Sequence, residues 1–279
     1  MDIERANQFL KQTHSEIEGW FFPLDQLLFI ELFVSQNQLR IAGDVSEVGV
    51  YHGKSFVLLS ILKNENEKLI GFDLFDGDHQ EKTLKNIEKY GVDSEISLLK
   101  GLTSDIAQAD LDLTLSTPLR FLHIDAGHEY HEVLEQLLMF SPYMADRGII
   151  AMDDYQDREF PGIEAAVLDF AEIDRPRRFV PFLAGGNKLF LCYEPMAATF
   201  QTVLSRRANF TGSCRLTRVK DFNVLIARSK LPVSSDIIEA QISSSNFPRR
   251  SDGDLSLHQK SEIFSQLTFG SGQIRSPEK

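Results

Sequence analysis

Three carboxylates that are far apart in the sequence are the residues best suited to chemistry. Asp125 follows the apolar run FLHI, and the pair Asp153 and Asp154 follows the apolar run GIIAM. Negative charges that lie close together repel one another unless a cation or a proton sits among them. If the fold brings these two places together, the three side chains predict a divalent-metal site. The alternative is that each carboxylate caps a turn or the start of a helix.

The stretch from Phe121 to Tyr155 has the pattern of a strand, a helix and a second strand. Phe121–Asp125 and Ile149–Met152 are short runs of strand-forming residues bounded by turn or charge signals. Between them apolar residues recur at helical spacing, and Pro142 and Gly148 mark the exit. A helical crossover makes the two strands parallel, so their C-terminal ends open on one edge of the sheet. We therefore expect the three carboxylates to share the crevice where ligands of open α/β sheets bind.

A glycine-containing turn follows the first predicted strand, Asp44–Val50. Gly49 and Gly53 bracket this turn, where glycine lets a ligand approach the backbone and the next helix offers unpaired N–H groups. The string EVGVYHG lacks the third glycine of the nicotinamide fingerprint, and a simple tight turn is the alternative. The second predicted strand, Lys68–Phe75, carries Asp73 where nucleotide-binding units commonly hold ribose hydroxyls. A turn or capping role is the alternative for this aspartate.

The later segments indicate a sheet with an antiparallel end. Ile96–Lys100 is a third predicted strand, and the loop after it offers the hydroxyl of Thr103. Phe179–Leu183 and Lys188–Tyr193 are apolar runs joined by the letters AGGN, which is a strong hairpin signal. A terminal hairpin separates this sheet from a plain dinucleotide-binding fold, whose last strands are parallel.

The chain divides into four predicted segments. Residues 1–40 form a helical cap over one sheet edge, with a contact to a second copy of the chain as the alternative, and residues 41–195 form the α/β domain. Residues 196–228 either add to the sheet or form a flap. Residues 229–279 are rich in serine and lack sustained periodicity, which is typical of a disordered tail.

Charge and composition exclude several classes of function. A net charge of −12 argues against nucleic acid as the partner, because phosphates require a basic surface. The apolar patch Trp20–Val34 is broken by charges and is too short to span a bilayer. Cys192 and Cys214 form neither a disulfide framework nor a metal-ligand pattern, and the start of the chain is too polar for a signal peptide. We expect a cytoplasmic protein that binds a small molecule.

Four strings, taken in order, resemble one known family. GDVSEVGVYHGKS, IGFDLFDGD, FLHIDAGHEYHEVLEQL and GIIAMDDY are similar to the motifs of class I S-adenosylmethionine-dependent methyltransferases, over roughly residues 19–194. The branch that they resemble is the metal-dependent O-methyltransferases, which includes the macrocin-type and mycinamicin-type sugar O-methyltransferases. The resemblance implies a Rossmann-like, doubly wound, seven-stranded α/β sheet with an antiparallel terminal strand, and makes residues 41–195 the methyltransferase domain.

The resemblance also implies a cofactor site for S-adenosyl-L-methionine. The first motif would cradle the methionine part, an acid after the second strand would bind the ribose, and a hydroxyl after the third strand would lie near the adenine. That hydroxyl is a threonine here, where the family usually has serine. The residues assigned in this way are Glu47, Gly49, Tyr51, Gly53, Ser55, Asp73, Thr103 and Asp125.

The same resemblance assigns the metal and the base. Asp125, Asp153 and Asp154 fall on positions that hold Mg²⁺ or Mn²⁺, although the first of the paired acids is often glutamate in the family. His128 matches a proposed general base, and the alternative is that it caps a helix or only hydrogen bonds the substrate. His123, in the middle of a predicted strand, is expected to pack in the core.

The resulting hypothesis is a metal-assisted O-methyltransferase for a small polyhydroxylated acceptor, such as a sugar, a glycoside or a natural product. One alternative is a metal-independent methyltransferase in which the aspartates position the substrate. Another is a catalytically silent cofactor-binding scaffold, although a scaffold has no need of the carboxylates. Nicotinamide oxidoreduction is disfavoured by the missing glycine and the terminal hairpin.

Overall fold

The computed structural model describes residues 1–173, 178–207, 209–210 and 212–228. Its strands all belong to one sheet, and short apolar runs rich in Val, Ile, Leu and Phe form most of them. The strands are β1 Asp44–Val48, β2 Leu69–Asp73, β3 Ile96–Lys100, β4 Leu119–Ile124, β5 Met144–Met152, β6 Phe179–Gly185, β7 Lys188–Tyr193, β8 Arg215–Val219 and β9 Phe222–Ile226.

Helices connect the strands and cover both faces of the sheet. Short 3₁₀ turns follow α1 and α6, precede α5 and precede α8. The helices are α1 Ile3–Lys11, α2 Pro23–Gln38, α3 Lys54–Leu62, α4 His79–Tyr90, α5 Gln108–Thr114, α6 Tyr130–Phe140, α7 Pro161–Ile173 and α8 Ala197–Ser205.

The strand order is β3-β2-β1-β4-β5-β7-β6-β9-β8. The first five of these strands are parallel, and β7 runs antiparallel to both of its neighbours. This arrangement confirms the predicted Rossmann-like α/β class and its antiparallel terminal strand. The sheet is wider than the seven strands predicted, because β9 continues parallel to β6 and forms a hairpin with β8. The segment 196–228 therefore adds to the sheet.

The parallel strands bring distant residues to one edge. The N–H of Asp125 donates to the carbonyl of Val48 at 2.7 Å, and the N–H of Asp153 donates to the carbonyl of Ile124 at 3.0 Å. Each aspartate thus stands one residue past the end of its strand and is held by the neighbouring strand. The edge at which β1, β4 and β5 end is where the candidate site lies.

A separate apolar core covers each face of the sheet. Successive residues of β4 alternate between them, so that Phe121 belongs to one core and Leu122 to the other. Helix α2 is buried on nearly every side and packs Phe29 edge-on against Phe121, with ring centroids 5.0 Å apart. A buried ion pair, Arg207 Nε to Glu31 Oε2 at 3.1 Å, joins the segment after α8 to α2.

The sequence predicts that no segment spans a membrane and that the C-terminal tail is disordered. Within the described ranges no helix combines the length and the apolar character that crossing a membrane requires. The tail at 229–279, which the sequence predicts to be disordered, lies outside the described residues.

Candidate active site

Two cavities open at the C-terminal edge of the parallel strands and share a wall. The Thr103 cavity has a volume of about 520 Å³ and is lined by the loop after β3 and by α6. The Trp20 cavity has a volume of about 570 Å³ and is lined by the loop before α2, the start of α3 and the loop after β5. The residues that border both cavities are Gly49, Asp73 and Asp125.

Asp73 organises the turn between β1 and α3. Its Oδ2 accepts hydrogen bonds from the N–H groups of Val50 at 2.7 Å and Tyr51 at 2.8 Å, and its Oδ1 accepts one from Phe75 at 2.6 Å. Gly49 is required beside it, because a Cβ built there would lie 1.9 Å from the carbonyl oxygen of Asp125. The turn is therefore held tightly against the ends of β2 and β4.

A buried lysine that the sequence analysis did not single out lies among the carboxylates. Lys188, on β7, is 1% exposed, and its Nζ lies 2.6 Å from Oδ2 of Asp153. Oδ1 of Asp153 accepts a hydrogen bond from the N–H of Asp154 at 2.8 Å. Both oxygens of Asp153 are thus engaged within the protein. The assignment of Asp153 as a metal ligand stays a prediction, and Lys188, which already compensates its charge, would compete with a cation there.

The protonation of the buried carboxylates follows from this lysine. Burial opposes the ionisation of Asp153, but Lys188 and then His123 outweigh it and lower the pKa of Asp153 to about 2. Burial, and next the charge of Asp153, raise the pKa of Asp125 well above its ordinary value. A side-chain hydrogen bond between the two groups raises the pKa of Asp125 further and lowers that of Asp153. A proton, or a cation in its place, is therefore favoured at Asp125.

Asp154 connects the carboxylates to His128. Its Oδ2 lies 3.3 Å from Nε2 of His128, and its Oδ1 accepts a hydrogen bond from Nδ2 of Asn187 at 3.0 Å. The ring of His128 stacks on Phe160 with centroids 4.1 Å apart. Asp154 has a φ of +50°, a conformation that asparagine and aspartate tolerate best among residues with a side chain. Backbone strain of this kind is concentrated at functional sites.

One set of donors fits a divalent cation. Asp125, His128 and Asp154 each offer one ligand atom, and these atoms lie within 4.8 Å of one another. Two carboxylates and one imidazole suit Mn²⁺, and the carboxylates suit Mg²⁺. His123, Asp125 and Asp153 form a second set at the same spacing. In that set Lys188 competes with any cation, so the first set is the better candidate.

Two of the residues assigned to the cofactor have other roles in the structure. Glu47 is fully buried opposite His123 in the register of β1 and β4, and its Oε1 lies 2.5 Å from Nδ1 of this histidine. Glu47 is not among the described residues that line the two cavities, so its assignment to the cofactor stays a prediction without support from the cavity lining. Gly53 precedes α3 with a φ of +81° and faces Thr83, so it shapes the turn.

His123 lies in the core, as expected of a mid-strand histidine. The remaining predicted residues line the cavities. Thr103 lines the cavity named after it, and Tyr51, Ser55, His128, Asp153 and Asp154 line the Trp20 cavity.

Asp25, on α2, is a second buried group that sequence analysis missed. It is fully buried beside the β6–β7 turn, where a Cβ on Gly186 would lie 1.8 Å from its Oδ1. Burial raises the pKa of Asp25 to about 7, and Asp153 adds to this while Lys188 opposes it. No pattern in the sequence marks an aspartate in the first turn of a helix as buried.

Asp25→Asn is expected to stabilise the protein at alkaline pH. The ordinary pKa of 3.8 applies to the unfolded chain, so between pH 4 and 7 the unfolded chain loses this proton while the folded protein keeps it. The contribution of Asp25 to stability therefore falls as the pH rises through this window. Asparagine does not titrate, so at pH 8 the free energy of unfolding of the variant should exceed that of the parent by on the order of 4 kcal/mol. Urea unfolding at pH 4 and pH 8 tests this, and a difference independent of pH would contradict it.

Comparison with known proteins finds a family model that is similar to the centre of the chain. A family model described as a methyltransferase domain matches residues 46–155. An uncharacterized protein of Acanthamoeba polyphaga mimivirus is 32% identical over 140 residues, which cover 49% of this chain and 62% of that protein. The chain thus spans less than two thirds of the length of this relative.

Solved structures are similar to this chain at low sequence identity. The O-methyltransferase from Bacillus cereus in complex with SAH is 14% identical, with a TM-score of 0.50 over 67% of this chain and 89% of that chain. The O-methyltransferase NovP is 20% identical, with a TM-score of 0.48 over 60% of this chain and 79% of that chain. Residues 46–155 are therefore similar to a methyltransferase domain, and the chain shares its fold with the O-methyltransferase structure from Bacillus cereus.

Proposed function

We propose that the protein is an S-adenosylmethionine-dependent O-methyltransferase that acts, with a divalent cation, on a hydroxyl of a small ring-containing acceptor. The observation that carries this proposal is the common wall of the two cavities. Gly49, Asp73 and Asp125 border both. A cofactor in one cavity and an acceptor in the other would therefore meet at this wall, which is what transfer of a group between them requires.

The Thr103 cavity has the side chains that an adenosine needs. Asp73 offers carboxylate oxygens for ribose hydroxyls, Thr103 offers a hydroxyl, and Leu102 offers an exposed apolar surface for a base. When bound, S-adenosylmethionine supplies a methyl group that is already activated on a sulfonium. The protein's part is to bind it and to leave the methyl group facing the Trp20 cavity.

Asp73→Ala is expected to weaken the binding of S-adenosylhomocysteine. The variant removes the proposed contact with the ribose and also releases the turn that lines both cavities, and each charged hydrogen bond lost costs ~1.5–3 kcal/mol. Calorimetric titration measures the change. Asp76→Ala is the matched control, because Asp76 follows the same strand but is exposed and lines neither cavity. Equal affinity of Asp73→Ala and the parent would remove Asp73 from the cofactor site.

Aromatic side chains give the Trp20 cavity its specificity for a ring. Trp20 is 81% exposed and Phe22 is 52% exposed, and both line this cavity together with Phe160. Exposed aromatic surface beside a cavity is typical of a ligand site, and flat apolar faces of phenols or sugars pack well on it. The acidic side chains of Asp157 and Glu159 at the same cavity favour neutral or cationic acceptors over anions.

The polar end of this cavity supports activation of a hydroxyl. Asp125 and Asp154 would hold the cation, while Asp153, fixed by Lys188, positions the backbone of Asp154. A bound divalent cation lowers the pKa of a hydroxyl that coordinates it. If the two carboxylates hold the cation without His128, Nε2 of His128 faces Asp154 and Nδ1 is the nitrogen left to accept the proton of the acceptor.

A transfer assay with labelled S-adenosylmethionine and Mg²⁺ tests the function. Catechol, 4-nitrophenyl glucoside and methyl glucoside serve as acceptors that differ in aromatic surface and in hydroxyl acidity. Label on an oxygen of at least one acceptor supports the proposal. Calorimetric binding of S-adenosylhomocysteine without transfer to any hydroxyl would favour the silent scaffold instead.

Trp20→Ala is expected to raise KM for the acceptor at least tenfold and to change kcat little. Trp20 contacts the proposed acceptor and lies outside the carboxylate cluster, so its loss removes binding without removing chemistry. It is also the sole tryptophan of the sequence, so acceptor binding in the parent should change its fluorescence. A fall in kcat with unchanged KM would contradict this role.

A further inference from the structure

Three more side chains that can bind a metal lie together behind the β1–α3 turn, outside both cavities. One ring nitrogen each of His52 and His79 and one carboxylate oxygen of Asp78 lie within 4.8 Å of one another. We propose that these residues form a second metal site, suited to Zn²⁺, which fastens the β1–α3 turn to the start of α4. The site does not depend on the proposed catalytic function.

The strongest support is a buried nitrogen of His52. The residue is 3% exposed, and its Nδ1 lies 3.2 Å from Oε2 of Glu18. Its Nε2 is buried and has no hydrogen-bond partner among the residues that the structure describes. A buried polar atom without a partner is unfavourable, and a bound metal would satisfy it.

The contact with Glu18 is the one expected around a metal-binding histidine. A carboxylate beside one ring nitrogen favours the tautomer with its hydrogen on that nitrogen and leaves the other nitrogen free to coordinate. Burial, and next the charge of Lys82, lower the pKa of His52, which favours the neutral imidazole that metals bind. Both effects prepare Nε2 as a ligand.

The other two proposed ligands, His79 and Asp78, lie beside His52. The ring of His79 packs edge-on against His52 with centroids 4.7 Å apart, and against Tyr51 at 4.8 Å. Asp78 precedes His79 directly, and its Oδ1 lies 3.2 Å from Nζ of Lys82. Two imidazoles and a carboxylate, with water as the fourth ligand, match the coordination that Zn²⁺ prefers. The ammonium group of Lys82 competes with the metal for Asp78.

Because Lys82 competes with the metal, removing a ligand should weaken Zn²⁺ binding and removing Lys82 should strengthen it. The full chain is stripped with EDTA and titrated with Zn²⁺ in a calorimeter, with Co²⁺ as a visible-absorption probe of tetrahedral binding. All proteins in this test, the parent included, carry Asp154→Asn, so that the cluster at the Trp20 cavity does not compete. His79→Ala should weaken Zn²⁺ binding by ~100-fold and Glu18→Gln by ~10-fold. Lys82→Met should strengthen it roughly tenfold, because it removes a nearby positive charge.

His131→Ala is the control, because His131 is an exposed histidine on α6 and belongs to none of the three donor sets. It should leave the Zn²⁺ affinity unchanged. Equal affinity of His79→Ala and the parent, an effect of His131→Ala as large as that of His79→Ala, or weaker binding by Lys82→Met would overturn the proposal. Circular dichroism of each variant shows that it is folded before the titration.

Discussion

Asp154→Asn is expected to reduce methyl transfer by at least ~10²-fold, while the affinity for S-adenosylhomocysteine stays close to that of the parent. Asp154 lies 3.3 Å from His128 and shares a donor set with Asp125. Asparagine keeps the shape, tolerates the φ of +50° and can still accept the hydrogen bond from Asn187. It removes only the charge that would hold a cation and orient the base.

The control for this variant removes a charge from the same cavity without touching the cluster. Glu159 lines the Trp20 cavity and is exposed, so Glu159→Ala should keep most of the transfer activity. In the parent, EDTA should abolish transfer and Mn²⁺ or Mg²⁺ should restore it. Full activity of metal-free parent protein in EDTA would show that the carboxylates position the acceptor without a cation.

The convergence of the carboxylates could be predicted from the sequence because it follows from topology. A crossover between two apolar runs fixes parallel strands, and parallel strands end on the same edge. Asp125 and Asp153 stand one residue past β4 and β5, as that reasoning requires. The glycine turn and Asp73 lie at the same edge for the same reason.

The partners of these side chains could not be predicted, because they depend on packing between elements. Lys188 follows a hairpin turn, where a lysine is typically exposed, yet helix α2 covers that end of β7 and buries it. Glu47 faces His123 because of the register between β1 and β4, and one residue of shift would put it on the other face. Asp25 is buried because α2 is part of the core and not only a cap over one edge.

Lys188→Met is expected to destabilise the protein by about 3–5 kcal/mol, the usual result of removing one partner from a buried ion pair. Asp153 would keep its hydrogen bond from the N–H of Asp154 but lose the ammonium group at 2.6 Å. Methionine preserves the apolar stem of the lysine, whose Nζ lies 5.4 Å from the centroid of the Phe21 ring. The loss of stability in this variant therefore comes from the missing charge more than from changed packing.

The double variant Lys188→Met/Asp153→Asn separates the ion pair from any other effect of the substitution. With the carboxylate neutralised, no buried charge is left unpaired, so the double variant should be more stable than Lys188→Met alone. Urea unfolding followed by circular dichroism gives the four free energies of the cycle at pH 7. A double variant that loses the sum of the two single effects would show that the two side chains do not interact. In that case the low pKa of Asp153 would need another cause, and Asp153 would again be available to bind a cation together with Asp125.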